Sequence, residues 1–434
     1  MLSLVMSVSS VVSSILNVVL AFVILMIMVT IHEFGHYTAG KLLKFKINEF
    51  SVGMGPKIIS HKKKDGQLVS LRALPLGGYC AFEGEDYEEG AQPVEGAFDK
   101  QAPWKRLIVL FSGAFFNFLS ALVVCAILFA SYGETVALVG KSFDYAPEAV
   151  RTLNPNDIIY EVNGHKVYLI DNLSRYLAAD ELTVTVLRYD DGYKSTQTIT
   201  VKKGKFTNTY VNAYSGNDIV LGEVNGQTVR LTKDVMVYRI NGKALSTEGE
   251  YKNIVASLSD GETASVTFYA YGQEFELGLT KERLQSIGVY ENTYSGLGIS
   301  PTYARHKFGF GEAFGRIFPY CGETGLVILR ALGGIFTGAT GINDLGGPIT
   351  TISTVSQVVS YGMPSILMLI VLISINLAVF NLLPVPSLDG CRMVFVIIEW
   401  IRGKPVNRKV ETMINGIGLI VLIALMIMID LLKL

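Results

Sequence analysis

The chain has 434 residues, of which 50% are hydrophobic and only 17% charged, and its mean hydropathy is +0.39. Soluble domains carry about 25% charged residues, so composition argues against both an ordinary cytosolic enzyme and a disordered chain. A net charge of −1 leaves no basic excess for nucleic acid, and the four scattered cysteines, Cys80, Cys125, Cys321 and Cys391, contain no CxxC pair that would mark a disulfide framework or a zinc knuckle.

Four apolar runs, at residues 15–31, 107–131, 364–383 and 413–432, approach or exceed the roughly 20 residues needed to cross hydrocarbon. HEFGH follows the first run directly, where a removed signal peptide would end in a small-residue cleavage region. Residues 1–14 carry no Lys or Arg. Lys41, Lys44, Lys46, Lys57, Lys62, Lys63, Lys64, Arg72, Lys105 and Arg106 lie between the first two runs, and Arg392, Arg402, Lys404, Arg408 and Lys409 between the last two. The positive-inside rule therefore puts both short loops in the cytoplasm, and both termini and the stretch 133–316 outside.

The sharpest chemical signal ends the first run: His32-Glu33-Phe34-Gly35-His36. Two histidines at i and i+4 share a helix face, which suits two ligands on one zinc, and Glu33 is placed to reach a water on that ion. The bland reading is a cluster of interfacial anchors at a helix end. Ionisable groups at the end of a spanning helix are costly and usually functional. Residues 50–82 follow, with β-like runs at 57–61 and 67–71 around Asp65-Gly66. They read as a hairpin on the cytoplasmic membrane surface, or equally as a basic loop touching anionic lipid.

The stretch outside the membrane is β-rich. Asn163-Gly164, Asn225-Gly226 and Asn241-Gly242 each follow apolar or alternating residues (DIIYEVNG, DIVLGEVNG, DVMVYRING), a hairpin signal. The recurrence suggests one or two copies of a small β-domain, and the Gly- and aromatic-rich segment 306–315 reads as the linker back to the membrane.

Zinc needs a third protein ligand and an open position. The nearby acidic run Glu83, Glu85, Asp86, Glu88 and Glu89 reads as a solvated loop. The better candidate is Asp389 in Asn381-Leu-Leu-Pro-Val-Pro-Ser-Leu-Asp389-Gly390. Counting spans puts it at the same cytoplasmic depth as HEFGH, and Pro384 and Pro386 disfavour a regular helix there. Alone, Asp389 would read as a helix N-cap or an Asp-Gly turn.

Taken together, HEFGH, FSVGMGP (50–56), PLGGY (75–79), Gly113 to Asn117, Gly346-Gly-Pro-Ile349 and NLLPVPSLDG followed by a helix with Glu399 resemble the bacterial site-2 proteases over nearly the whole chain. The resemblance implies an α-helical polytopic membrane protein with four transmembrane segments and an inserted β-rich, PDZ-like extracytoplasmic region. It divides the chain into segments 1 and 2 with the cytoplasmic β loop (1–133), a PDZ-like domain (134–215), a second PDZ-like domain (216–300) and segments 3 and 4 (301–434). It implies His32, His36 and Asp389 as ligands of Zn2+, Glu33 as general base and Asn381 as a group that orients substrate.

The implied activity is a zinc-dependent intramembrane endopeptidase acting on single-span proteins in a bacterial cytoplasmic membrane, with the lipid bilayer and transmembrane substrates as partners and the β loop presenting substrate. The alternative is a catalytically inactive, membrane-anchored PDZ binding protein. The sequence departs from the family pattern at Asn156-Asp157 and Lys233-Asp234, where Gly-Asp is common, and at Cys391, where a second Gly is common. The Cys391 thiol is read as a small buried apolar group rather than a competing ligand. Gly140-Lys141-Ser142 has the wrong glycine spacing for a P-loop, and His61, His165 and His306 have no partner at ligand spacing.

Overall fold

The computed structural model describes residues 2–85, 94–190, 193–212, 219–224, 227–231, 235–270, 272–338 and 348–432. They fall into two units, Met1–Glu134 with Lys307–Leu434, and Thr135–His306. Asp86, Glu88, Glu89, Asn225-Gly226, Lys233-Asp234 and Gly346-Gly347, all singled out above, lie outside the described residues.

The first unit opens with helix α1 (Leu2–Leu42). Its end is closed by Lys44 in the left-handed conformation (φ 64°) and by the Phe45 N–H donating to the Gly40 carbonyl at 2.8 Å, with Lys41 in the last turn matching the helix dipole. Strands β1 (Ile47–Lys62) and β2 (Leu68–Phe82) follow, joined through Gly66 at φ 85°. The expected hairpin is therefore present, but both strands run longer than the alternation suggested. Residues 68–71 pair on one side with 59–62 and on the other with 49–52, while 78–82 pair with 47–52. Two long strands thus fold into four short arms, with 78–82 at one edge. The fold-over runs through Gly53 (φ 83°), where a Cβ would sit 2.9 Å from the carbonyl oxygens of Arg72 and Leu74.

Helix α2 (Pro103–Tyr132) starts with Pro at its first turn and stops at Gly133. It crosses α1 where neither helix has a side chain to spare: a Cβ on Gly35 would lie 2.4 Å from the Ser112 carbonyl oxygen. This is close small-residue packing of the kind favoured between membrane helices.

The second unit contains two sheets. Strand β3 (Glu134–Ser142), whose first residue belongs to the other unit, leads through α3 (Glu148–Arg151) to β4 (Ile158–Val162), β5 (His165–Lys166), α4 (Leu173–Tyr176), β6 (Glu181–Asp190) and β7 (Tyr193–Lys202). Next come β8 (Gly204–Val211), the isolated pair β9 (Ile219–Val224) and β10 (Gln227–Leu231), then β11 (Met236–Ile240), β12 (Lys243–Ala244), α5 (Glu250–Ser257), β13 (Thr263–Ala270), β14 (Gln273–Thr280), α6 (Lys281–Ser286), β15 (Val289–Gly296) and β16 (Ile299–His306). One sheet has the order β16-β3-β4-β6-β7 with β5 on β4, and the other β14-β13-β11-β8-β15 with β12 on β11. Each has its own apolar core, around Val162, Leu182 and Val184 in the first and Ile240, Val266 and Phe268 in the second.

The two sheets repeat one local plan. Asn163 and Asn241 both sit at positive φ (51° and 50°), and their side-chain oxygens accept from the Thr183 N–H at 2.8 Å and the Ser265 N–H at 2.9 Å. Strand β8 falls in the range 134–215 but pairs in the second sheet, and β16 returns to the first.

The chain re-enters the first unit as α7 (Phe310–Thr337), followed by α8 (Pro348–Val359), α9 (Met363–Leu382), α10 (Asp389–Arg402) and α11 (Arg408–Leu431). The linker expected at 306–315 is mostly helix instead: β16 runs to His306 and α7 begins at Phe310. Its glycines lower helix propensity without forbidding the helix. Arg316 on α7 grips Glu134 with two bonds of 2.6 and 2.7 Å, and both side chains are buried. Four helical segments among the described residues are long and apolar enough to cross a membrane: Ile15–Leu42, Pro103–Tyr132, Met363–Leu382 and Lys409–Leu431. They coincide with the four runs read from the sequence.

Candidate metal centre

His32 and His36 lie on the face of α1 turned toward α2, at the level of Gly113. A Cβ on Gly113 would fall 2.4 Å from His36 Nε2 and 2.6 Å from His32 Cε1. Glycine is thus required there by the space the two rings occupy. Asp389 comes from the far end of the chain. The apolar helix α9 ends at Leu382, and Pro384 and Pro386 keep the next residues out of a helix. The chain then turns through Ser387 at φ 81° and starts α10 at Asp389.

Three donor atoms converge there. Asp389 Oδ2 is 3.0 Å from His32 Nε2 and 3.2 Å from His36 Nε2, and the two nitrogens are 3.1 Å apart. Tetrahedral zinc with bonds of about 2.0–2.1 Å sets its donor atoms roughly 3.3 Å apart. His32, His36 and Asp389 form the described cluster of His, Cys or acidic groups arranged to hold a metal ion.

The surroundings fit a cation. His36 Nδ1 donates to the Val109 carbonyl at 2.8 Å, so its Nε2 is left with a bare lone pair. His32 Nδ1 lies 3.3 Å from Asn117 Nδ2, while Asn117 Oδ1 is buried with no hydrogen-bond partner. Turning that amide over, a freedom every carboxamide assignment has, puts the oxygen on the His32 Nδ1–H. It satisfies the orphaned atom and leaves the His32 Nε2 lone pair facing the same point. Two bare imidazole nitrogens and a carboxylate oxygen at these distances repel unless a positive charge lies between them. Both rings are oriented from behind, as metal-bound histidines usually are.

Glu33 points to the other side of the same cavity, and its Oε2 accepts the Cys80 N–H at 3.0 Å. The edge arm 78–82 of the hairpin therefore lies against this carboxylate. The cavity, about 260 Å3, is lined by His32, Glu33, His36, Asn381, Ser387 and Asp389, among others. Asn381 sits in the last turn of α9, with its Nδ2 donating to the Leu377 carbonyl at 2.9 Å.

All five residues singled out from the sequence thus border one cavity. The other candidates are not among its three donors. Glu83 pairs with Lys46 at 3.3 Å, and Glu85, which also borders the cavity, pairs with Arg392. Cys391 is buried and is no part of the three-donor cluster. Lys141 pairs with Glu274, His165 stacks on Tyr176 and His306 on Tyr189. Sequence reasoning gave no role to Asn117 or to the Cys80 N–H. The spacing of Gly113 and Asn117, one helical turn apart on α2, was the available signal.

The sequence profile described as peptidase family M50 matches residues 20–425. A protein of Vibrio cholerae provisionally named zinc metalloprotease is 29% identical over 94% of this chain and 96% of its own length. One of Fusobacterium nucleatum with the same provisional designation is 28% identical over 95% and 96%. A Haemophilus influenzae protein named regulator of sigma E protease is 25% identical over 92% of this chain and 94% of its own.

Proposed function

The chain belongs to peptidase family M50, and on that premise we propose that it hydrolyses peptide bonds within the membrane-spanning segments of single-span proteins. It is a multi-pass membrane metalloendopeptidase of the site-2 protease type, and its cofactor is Zn2+. One observation carries the reading of the site: two imidazole nitrogens and a carboxylate oxygen from opposite ends of the chain lie within 3.2 Å of one another.

In this proposal His32, His36 and Asp389 hold the ion. Zinc bound there supplies Lewis acidity, lowering the pKa of a water toward about 7 and polarising the scissile carbonyl. Glu33 takes the proton as the water oxygen attacks the carbonyl carbon, and returns it to the amide nitrogen as the C–N bond breaks. The Cys80 N–H holds the Glu33 carboxylate in place at 3.0 Å. Asn381 turns its amide from the Leu377 carbonyl to the substrate backbone or the developing oxyanion.

A spanning helix hides its carbonyls in its own hydrogen bonds, so substrate must unwind before attack. The arm 78–82 forms one edge of the hairpin, the position at which an extended segment adds as a further strand in place of the carboxylates that now accept the Cys80 and Phe82 N–H groups. Its place beside Glu33, with a Cβ at Gly78 falling 3.8 Å from Glu33 Cγ, supports a presenting role.

The duplicated strand, Asn-Gly turn and helix supports reading 134–215 and 216–300 as two PDZ-like domains that admit substrates already trimmed outside. The Lys and Arg distribution supports a cytoplasmic-membrane location with the metal site toward the cytoplasm. The relative named regulator of sigma E protease motivates anti-sigma factors as substrates, with remnant signal peptides as the other class.

The test is metal analysis joined to a cleavage assay. Wild type holds about one zinc per chain, Glu33→Gln keeps the metal and loses cleavage, and Asp389→Ala loses both. Full activity in Glu33→Gln contradicts the base assignment. A zinc-free wild type unaffected by His36→Ala is what the inactive, membrane-anchored binding protein would give.

A further inference from the structure

Helix α11 bears on the turn that carries Asp389, and it does so through one polar side chain. Between Met413 and Ile429 the helix carries no polar side chain but Asn415, and it is largely exposed there, with Met413, Ile417, Ile420 and Val421 each more than half open. Glu411, Asn415 and Gly418 share its remaining face, at the i, i+4, i+7 spacing of one helical stripe. Glu411 is buried and Asn415 half-buried. An amide within a spanning segment is costly unless it is bonded, and Asn415 is bonded: its Oδ1 accepts the Ser387 N–H at 3.0 Å. Three residues on, a Cβ at Gly418 would fall 2.1 Å from the Pro386 Cβ, so the helix backbone packs directly against Pro386 of the turn.

Ser387 is the strained point of that turn. Its φ of 81° is a conformation that residues other than glycine rarely adopt, and it persists only where the surroundings over-determine it. The turn supplies some of its own bonds, Val385 N–H to the Leu383 carbonyl at 2.7 Å and Leu388 N–H to the Val385 carbonyl at 3.1 Å. The Ser387 N–H is held by Asn415. Two residues later comes Asp389, whose position is further fixed because a Cβ on Gly390 would strike the Leu383 carbonyl oxygen at 2.3 Å.

We propose that Asn415 is a positioning residue for Asp389: it clamps the left-handed Ser387 so that the carboxylate meets the two imidazoles, making the fourth span part of the metal site. The proposal rests on the reading of Asp389 as a zinc ligand. The experiment measures the rate of zinc loss from purified full-length protein to an excess of chelator, together with kcat and KM on a reporter carrying one apolar span. Asn415→Leu matches the side chain in size and favours helix insertion. It is expected to release zinc on the order of tenfold faster and to lower kcat with KM held, while Asn415→Asp, which keeps an acceptor oxygen in place, restores retention. With Ser387→Gly the left-handed turn needs no clamp, so the effect of Asn415→Leu is expected to shrink to about threefold or less. This last comparison holds even if Asn415→Leu lowers overall stability, because a general folding defect is blind to the residue at 387. Zinc retention like wild type in Asn415→Leu, or an undiminished effect of Asn415→Leu when it is combined with Ser387→Gly, overturns the proposal. Asp389→Ala separates the two ideas: if it keeps its zinc, the reading of the site has failed, and if it loses zinc while Asn415→Leu does not, only the clamp has.

Discussion

At the scale of single residues the proposed metal centre depends on atoms that are not its proposed ligands. Gly113 leaves room for the imidazoles, and a methyl group there has no flexible side-chain end to push aside. Gly113→Ala is therefore expected to lose zinc while the helices stay folded, which zinc content and circular dichroism together check. Asn117 secures His32 through Nδ1, and replacing it with Leu should weaken zinc binding by about 10–100-fold, read by competition with a chelating dye. Unchanged affinity would mean that His32 orients itself without help. Both residues were visible in the sequence as part of a motif, but their roles were not. A role of this kind depends on which helix lies opposite, and nothing in α2 alone states that α1 crosses it at Gly35.

At the scale of elements the hairpin β1–β2 and the return helix α7 have different determinants. Burial alone would raise the pKa of Glu49, but hydrogen bonds from Ser70, Arg72 and Tyr79 and the charge of Arg72 override it and hold the carboxylate at about 2. A depressed carboxylate stabilises the fold above its unfolded pKa, near 4.5, and that contribution is lost as pH falls toward about 2. Protection of the hairpin amides from hydrogen exchange should therefore be flat from neutral pH to about 5 and fall below that, and Glu49→Gln should remove the step. The Glu134–Arg316 pair is buried on both sides. Arg316→Ala is expected to cost about 3–5 kcal/mol, whereas the double change Glu134→Leu, Arg316→Met should be nearly neutral, as judged by thermal melting in detergent. The hairpin was legible from Asp65-Gly66, since a turn is a local property. Its folding into four arms, and the helix from Phe310, were not legible, because the first depends on non-local pairing and the second on an amphipathic face that only a packed neighbour makes worthwhile.

At the scale of the whole molecule, four apolar runs and two distant motifs were enough to bring HEFGH and Asp389 to one place. Spans have few alternatives: every crossing reverses direction, so the side on which a motif lies follows from counting. The division of the outer region was less legible, because its two sheets trade strands, β8 and β16, across the sequence. In cells, Glu33→Gln should cause single-span membrane proteins, or trimmed fragments of them, to accumulate in membrane proteomics, and no accumulation would remove support for that substrate class. The central claim concerns the first coordination shell of one ion, and zinc K-edge X-ray absorption on the purified protein reads it directly. The account predicts one zinc per chain surrounded only by nitrogen and oxygen at about 2.0–2.1 Å, including two imidazoles, with the signal lost in Asp389→Ala. A sulfur shell near 2.3 Å, or a coordination shell unchanged in Asp389→Ala, would contradict it.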